Sequence, residues 1–197
     1  MKYRIVTISR EHGSGGRLVG KTLANMLRIP MYDKKLIELA AQESGLSAPF
    51  IQQAEQRPVD GFLYELFWGG PYPSIHNQVF LAQSQAIQET ADQGPCIIAG
   101  RCADYVLRER TDCLNVFIYA PMEEKIRRLR EEYGEAENAN KKYLETFDKH
   151  RSAYYNYFSD QKWGDYHNYH LSISTTLGIQ SVANIIKEAM GEEERAR

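Results

Sequence analysis

The chain carries little that would mark it for export, metal binding or life in a membrane. Its three cysteines, Cys96, Cys102 and Cys113, are odd in number and match no metal spacing. They are expected to be buried free thiols in a reducing compartment. None of the five histidines has the spacing of a metal-ligand pair or a catalytic triad. No apolar run approaches the roughly 18 residues that span a bilayer. Met1–Ile8 is too short for a secretory leader and runs straight into a polar segment. A cytoplasmic protein without a membrane partner is therefore expected. Neither sign of charge dominates, since 24 Lys and Arg stand against 26 Asp and Glu, a formal net charge of −2. Without a broad basic field no nucleic acid polymer is expected as a partner, and any anion site must be local. Repeats and low-complexity tracts are absent as well.

What is present is an alternation of strand and helix signals over 197 residues, enough for one well-cored domain. Tyr3–Ile8 is a short β-rich run. Leu18, Val19, Thr22, Leu23, Met26 and Leu27 then fall at the 3–4 spacing of one helix face. Pro30–Tyr32 reads as a very short second strand, and Asp33 as the cap of a helix running to about Gly45. From Ser47 to Gly94 the pattern is helical, broken by Gly69, Gly70, Pro71 and Pro73 and resumed over His76–Ala91. It carries no strand signal and reads as an insertion over one face of a sheet. Cys96–Ala99 is a continuous apolar run, as a buried parallel strand should be, and a helix to about Arg110 follows Gly100-Arg101. Cys113–Ala120 is the clearest central strand. Charged helices follow over Met122–Tyr133 and Glu135–Tyr157, then a last strand at His170–Ser174 and a terminal helix at Ile179–Met190. The tail Gly191–Arg197 is expected to fray. This order predicts an α/β three-layer fold, a parallel sheet of about five strands covered by helices on both faces.

A strand, a Gly-rich turn and a helix together aim backbone N–H groups at an anion, with the helix dipole in support. Two registers compete. Read literally, Gly15-x-x-x-x-Gly20-Lys21-Thr22 matches the Walker A string. That register would put Leu18 and Val19 in the phosphate loop, although both belong to the apolar stripe of the helix. The other register places the turn at His12–Arg17, directly after the strand, with the helix under way by Leu18. Gly13, Ser14, Gly15, Gly16, Arg17 and Leu18 then form the phosphate-binding segment. Arg17 supplies the charge that a Walker lysine normally provides, and it can grip a phosphate bidentately.

Ile8-Ser9-Arg10-Glu11-His12-Gly13-Ser14-Gly15-Gly16-Arg17, then Tyr32-Asp33, then Ile98-Ala99-Gly100-Arg101-Cys102-Ala103-Asp104 resemble the cytidylate kinase-like family of P-loop proteins. The resemblance covers nearly the whole chain and ends with His170–Ser174. It implies a P-loop core, a substrate-binding helical insertion at about 47–94 and an arginine-bearing lid at about 122–157. It also implies ATP and Mg²⁺ as cofactors and a nucleoside monophosphate, CMP-like, as the phosphoryl acceptor. Arg101 looks like the arginine of the Gly-Arg-Asp motif, which serves the monophosphate. Four residues, in three places, depart from the cytidylate kinase pattern. Gly16 stands at the Walker lysine and Leu18 at a threonine. Ala99 stands where relatives often carry an acid, and Cys102 replaces the aspartate of Gly-Arg-Asp.

Phosphoryl transfer asks a protein mainly for positioning and for neutralisation of charge on the moving oxygens. The candidates are Arg17, Arg127, Arg128 and Arg151 as catalytic cations and Arg101 as the acceptor's anchor. Arg101 follows a buried strand, where ligands of parallel sheets bind. For Arg127 and Arg128, i,i+4 pairs with neighbouring glutamates explain the charges equally well. Asp33 is either an N-cap or a substrate contact. Phe80 and Gln83, on the insertion's long helix, either face a base or pack. No metal ligand can be assigned from the sequence. A nucleotide-binding sensor without efficient turnover, or a kinase of a small hydroxyl-bearing metabolite with Asp33 as base, are the alternative readings.

Overall fold

A computed structural model describes residues 2–56 and 75–191, apart from the side chains at 43 and 54–56. The breaks expected at Gly69, Gly70, Pro71 and Pro73, and the tail beyond Gly191, lie outside the described residues. Among the described residues five parallel strands form one sheet in the order β2-β3-β1-β4-β5. They are β1 (Ile5–Arg10), β2 (Met31–Tyr32), β3 (Cys96–Ala99), β4 (Cys113–Tyr119) and β5 (Leu171–Ser174). The helices among the described residues are α1 (Gly16–Leu27), α2 (Lys35–Ser44), α3 (Ala48–Gln56), α4 (Ile75–Gln93), α5 (Ala103–Val106), α6 (Met122–Glu131), α7 (Lys141–Ser159) and α8 (Ile179–Ala189). None of the described helices is long and apolar enough to cross a membrane.

Because side chains alternate along a strand, each face of the sheet builds its own core. On one face Ile5, Cys96, Ile98 and Cys113 pack against Leu36, Ile51, Val79, Ala86 and Ile87 of α2, α3 and α4. The helical stretch expected to overlie the sheet is thus part of its core. On the other face Val6, Ile8, Ile97, Val116 and Ile118 meet Val19 and Leu23 of α1 and Val182 and Ile186 of α8. Full burial of such side chains stabilises by about 1.5–3 kcal/mol each. A third cluster is small: Leu129, Ala139 and Leu144 join α6 to α7. The three cysteines are free and buried, as expected. Burial pushes the Cys96 thiol up to about 11 and the Cys113 thiol up to about 12.

Several boundaries differ from the sequence reading, each for a local reason. β1 continues through Ser9 and Arg10, whose partners in β4 are Phe117 and Ile118. The helix after β3 is a single turn: Arg101 and Cys102 are left-handed (φ 56° and 55°) and set its start at Ala103, and residues 107–109 continue only as turns. α7 begins at Lys141, where Asn140 is extended and its side chain accepts from the Tyr143 amide. Asp33 is not an N-cap: Lys34 holds that place without a side-chain cap, and the Asp33 carboxylate points to arginines instead.

Candidate active site

The helix after β1 starts at Gly16, with left-handed Gly15 (φ 87°) as its N-cap. The turn is therefore Glu11–Gly15, directly after the strand. The literal Walker string falls inside α1, where buried Val19 and Leu23 face the sheet. Protein donors hold the loop's carbonyls from behind. Ser14 N and Oγ donate to Glu11 O, Arg128 Nη1 donates to Gly13 O (2.9 Å), and Thr175 Oγ1 donates to Ser14 O (2.7 Å). Val19 N donates to Gly15 O. Among the described residues none accepts from the amides of Gly13, Gly15, Gly16 or Arg17. Donors left over at a helix N-terminus are what an anion needs.

These amides border a small polar cavity of about 90 Å³ lined by Arg10, Glu11, His12, Gly13, Ser14, Gly15, Gly16, Arg17, Tyr133, Glu135 and Arg151. Cations crowd it. Asp33 sits within 2.7 Å of Arg17 Nε, 3.5 Å of Arg10 Nη2 and 3.6 Å of Arg101 Nη1, which also donates to the Asp33 carbonyl. Arg151 Nη1 donates to the Arg10 carbonyl at 2.9 Å. Burial, then Arg151, push the Arg10 guanidinium down to about 9, so it keeps its charge at neutral pH. Burial likewise lowers Arg151. Burial would raise Asp33, but Arg10, Arg17 and Arg101 together hold its carboxyl below the usual range. Glu11 adds no free negative charge, since Lys125 Nζ and the Ala120 amide both reach its Oε2. His12 stacks on Phe147 at 4.3 Å. Burial, with Arg151, Arg10, Lys125 and Arg17 nearby, pushes its imidazole down to about 3 and keeps it neutral.

The structure thus gathers Gly13, Ser14, Gly15, Gly16, Arg17, Asp33, Arg101 and Arg151 around one centre, with Arg101 reaching it through Asp33. Leu18 follows in α1 and does not line the cavity. Gly100, Arg101 and Cys102 form a run of three left-handed residues (φ 77°, 56° and 55°) that turns Arg101 back onto Asp33. Such backbone costs of order 1–3 kcal/mol per non-glycine residue and collects at functional sites.

Other candidates are placed elsewhere. Arg127 does not line the cavity and binds Glu124, Glu131 and Glu132 along the exposed side of α6. Arg128 is buried behind the loop, where its bond to Gly13 O positions the backbone. Phe80 stacks on Phe158 at 4.2 Å, and the buried Gln83 accepts from Tyr154 Oη, so both tie α4 to α7. The sequence reading missed Arg10, taken as loop although it ends β1. It also missed Lys125 and Asp148: the carboxylate accepts from the His12 amide (2.6 Å) and pairs with Lys125 (2.8 Å). A buried lysine within an otherwise charged helix leaves no trace in periodicity. No group of three or more metal-ligating side chains occurs among the described residues.

A P-loop turn facing an arginine cluster belongs with the relatives the chain has. Among solved structures it is similar to an uncharacterized protein from Eubacterium ventriosum ATCC 27560 (25% identity, TM-score 0.72, 96% of this chain and 99% of that one). Shikimate kinase from Acinetobacter baumannii in complex with shikimate shares the fold at 16% identity (TM-score 0.54, 95% and 93%). So does deoxyadenosine kinase from M. mycoides with its products dCMP and dCDP, at 12% (TM-score 0.51, 94% and 98%). Among curated proteins nothing matches. The fold is that of P-loop kinases, and phosphoryl transfer is the chemistry the family and these folds share. The family model for cytidylate kinase-like proteins matches residues 5–177, nearly the full span of that fold, and the chain belongs to this family.

Proposed function

We propose that the protein transfers the γ-phosphoryl group of ATP to a small phosphorylated acceptor, most simply a nucleoside monophosphate such as CMP. One observation carries the reading: Arg10, Arg17, Arg101 and Arg151 converge on Asp33 and on a loop whose Gly13, Gly15, Gly16 and Arg17 amides have no acceptor among the described residues. Such a cluster calls for a polyanion. The loop amides hold the donor's phosphates, while Arg101 anchors the acceptor's phosphate. Arg151, on the lid-like 122–157 stretch, closes over the transferring group and helps exclude water. The acceptor phosphate is itself the nucleophile, so no general base is required. Asp33 would be a poor one, since three arginines hold its pKa low and a base works best near ambient pH. The 47–94 stretch, whose described residues do not line the cavity, is the proposed substrate-binding wall.

Among the described residues no dedicated Mg²⁺ site is formed. Leu18 stands at the hydroxyl position, and Glu11 is tied to Lys125 and the Ala120 amide. Mg²⁺ would accordingly arrive as part of the Mg·ATP substrate. That same Leu18 favours a second reading, a nucleotide-binding module without turnover.

ADP release from Mg·ATP, measured with CMP, dCMP, UMP, AMP, GMP and shikimate, tests the proposal. Turnover with a monophosphate is expected, and Arg101→Ala should raise the acceptor KM at least tenfold with ATP affinity unchanged. Turnover with the hydroxy acid alone overturns the acceptor class. ATP binding with no turnover favours the module.

A further inference from the structure

Arg10 at the end of β1 and Gly16 at the start of α1 face each other at close range. A Cβ added to Gly16 would lie 2.7 Å from Arg10 Cβ and 3.0 Å from Arg10 Cγ. Only one of the two positions can therefore carry a side chain. In the G-x-x-x-x-G-K loop the lysine follows the second glycine, and the first glycine lies six residues before the lysine. With Gly16 at the lysine position, the first glycine falls on position 10. The chain thus reads Arg where the pattern has glycine, and glycine where it has the cation.

We propose that the two positions have exchanged roles, so that Arg10, from the strand, grips the donor phosphates in place of a helix-borne lysine. The inference rests on the reading of this loop as a phosphate site. Gly16 is glycine because the root of Arg10 fills its side-chain space. The tip of Arg10 crosses Gly100, where an added Cβ would collide with Nη1, so a second glycine clears its path. Its Nη2 approaches Asp33 Oδ1 at 3.5 Å, and its carbonyl is held by Arg151. The side chain is 15% exposed, against 45% for Arg17. Arg10 is thus the deeper cation and Arg17 the rim. A guanidinium engages two phosphate oxygens at once, where a lysine offers a point charge.

Calorimetric titration of the full chain with inorganic tripolyphosphate and with Mg·ATP tests the exchange, alongside thermal melting of each variant. Arg10→Gly should weaken both ligands at least tenfold, and more than Arg17→Ala does. Arg10→Lys should retain part of the affinity. Gly16→Lys alone should lower the melting temperature through the clash. The double variant Arg10→Gly/Gly16→Lys should regain stability over Gly16→Lys and affinity over Arg10→Gly. A folded Arg10→Gly that binds tripolyphosphate as the wild type does overturns the exchange. So does a folded double variant no better than Arg10→Gly; if the double variant does not fold, Arg10→Gly against Arg10→Lys decides. Wild-type protein that binds neither ligand overturns the phosphate-site reading itself.

Discussion

The β1–β3 side of the cavity and its α6–α7 side are held in place by different forces. Arg10, Asp33 and Arg101 project from strand ends and turns backed by the two large apolar clusters of the sheet. Lys125, Arg128, Asp148 and Arg151 sit on helices joined by a cluster of only three buried residues. Beside the stack of Phe147 on His12, those helices reach the loop and the end of β1 mainly through polar contacts, namely Asp148 with the His12 amide and Lys125, Arg128 with Gly13 O and Arg151 with Arg10 O; Tyr155 Oη also holds the buried Asp104 of α5 at 2.7 Å. A wall docked by hydrogen bonds and ion pairs can respond to an arriving anion, because such contacts compete directly with it. A wall docked by apolar burial cannot.

Changes on the polar side sharpen this contrast. The largest effect is expected from Asp148→Ala, which leaves Lys125, with its side chain 5% exposed, to Glu11 alone. Breaking a buried pair from one end costs about 3–5 kcal/mol, readable by urea unfolding; a cost below 1 kcal/mol would show that the α6–α7 wall does not depend on this pair. Arg128→Met keeps much of the bulk and removes the bond to Gly13 O. A loss of about 1.5–3 kcal/mol is expected for a charged hydrogen bond, together with weaker ATP binding although Arg128 lies outside the cavity.

The His12 imidazole makes the loop's stability pH-dependent. Its pKa is about 3 in the folded chain, against 6.5 for the free side chain. The unfolded chain therefore binds the extra proton between these values, and stability falls as pH drops from 6.5 toward 3. The slope approaches about 1.4 kcal/mol per pH unit. His12→Phe keeps the stacking partner for Phe147 and should flatten that window in a pH series of thermal melts. Arg127→Ala is expected to change stability by less than about 0.5 kcal/mol and to leave ATP affinity alone. An effect comparable to that of Arg128→Met would contradict the assignment of the loop contact to Arg128 and of an exposed position to Arg127.

The apolar side was also the legible one. Runs such as Cys96–Ala99 and Cys113–Ala120 announce buried parallel strands, and the apolar stripe of α1 argued for the loop register by claiming Leu18 and Val19 for the helix; Val19 is buried against the sheet, whereas Leu18 is half-buried and outside that cluster. The polar side was largely hidden. Arg127 and Arg128 are adjacent, identical in type and both near glutamates, yet only Arg128 is buried and donates to the loop, a distinction set by helix phase toward a loop more than 100 residues away. Asp33 read as a cap because its three arginine partners come from three separate segments. Arg10 read as loop because its pairing with β4 is a long-range property.

The most direct test of the site as a whole is calorimetric titration with adenosine and cytidine joined through five phosphates, which spans donor and acceptor positions at once. If both phosphate sites meet at this arginine cluster, the linked ligand should bind on the order of 100-fold tighter than Mg·ATP, and Arg101→Ala should abolish most of that gain. Binding no tighter than Mg·ATP would contradict a phosphorylated nucleoside as the acceptor.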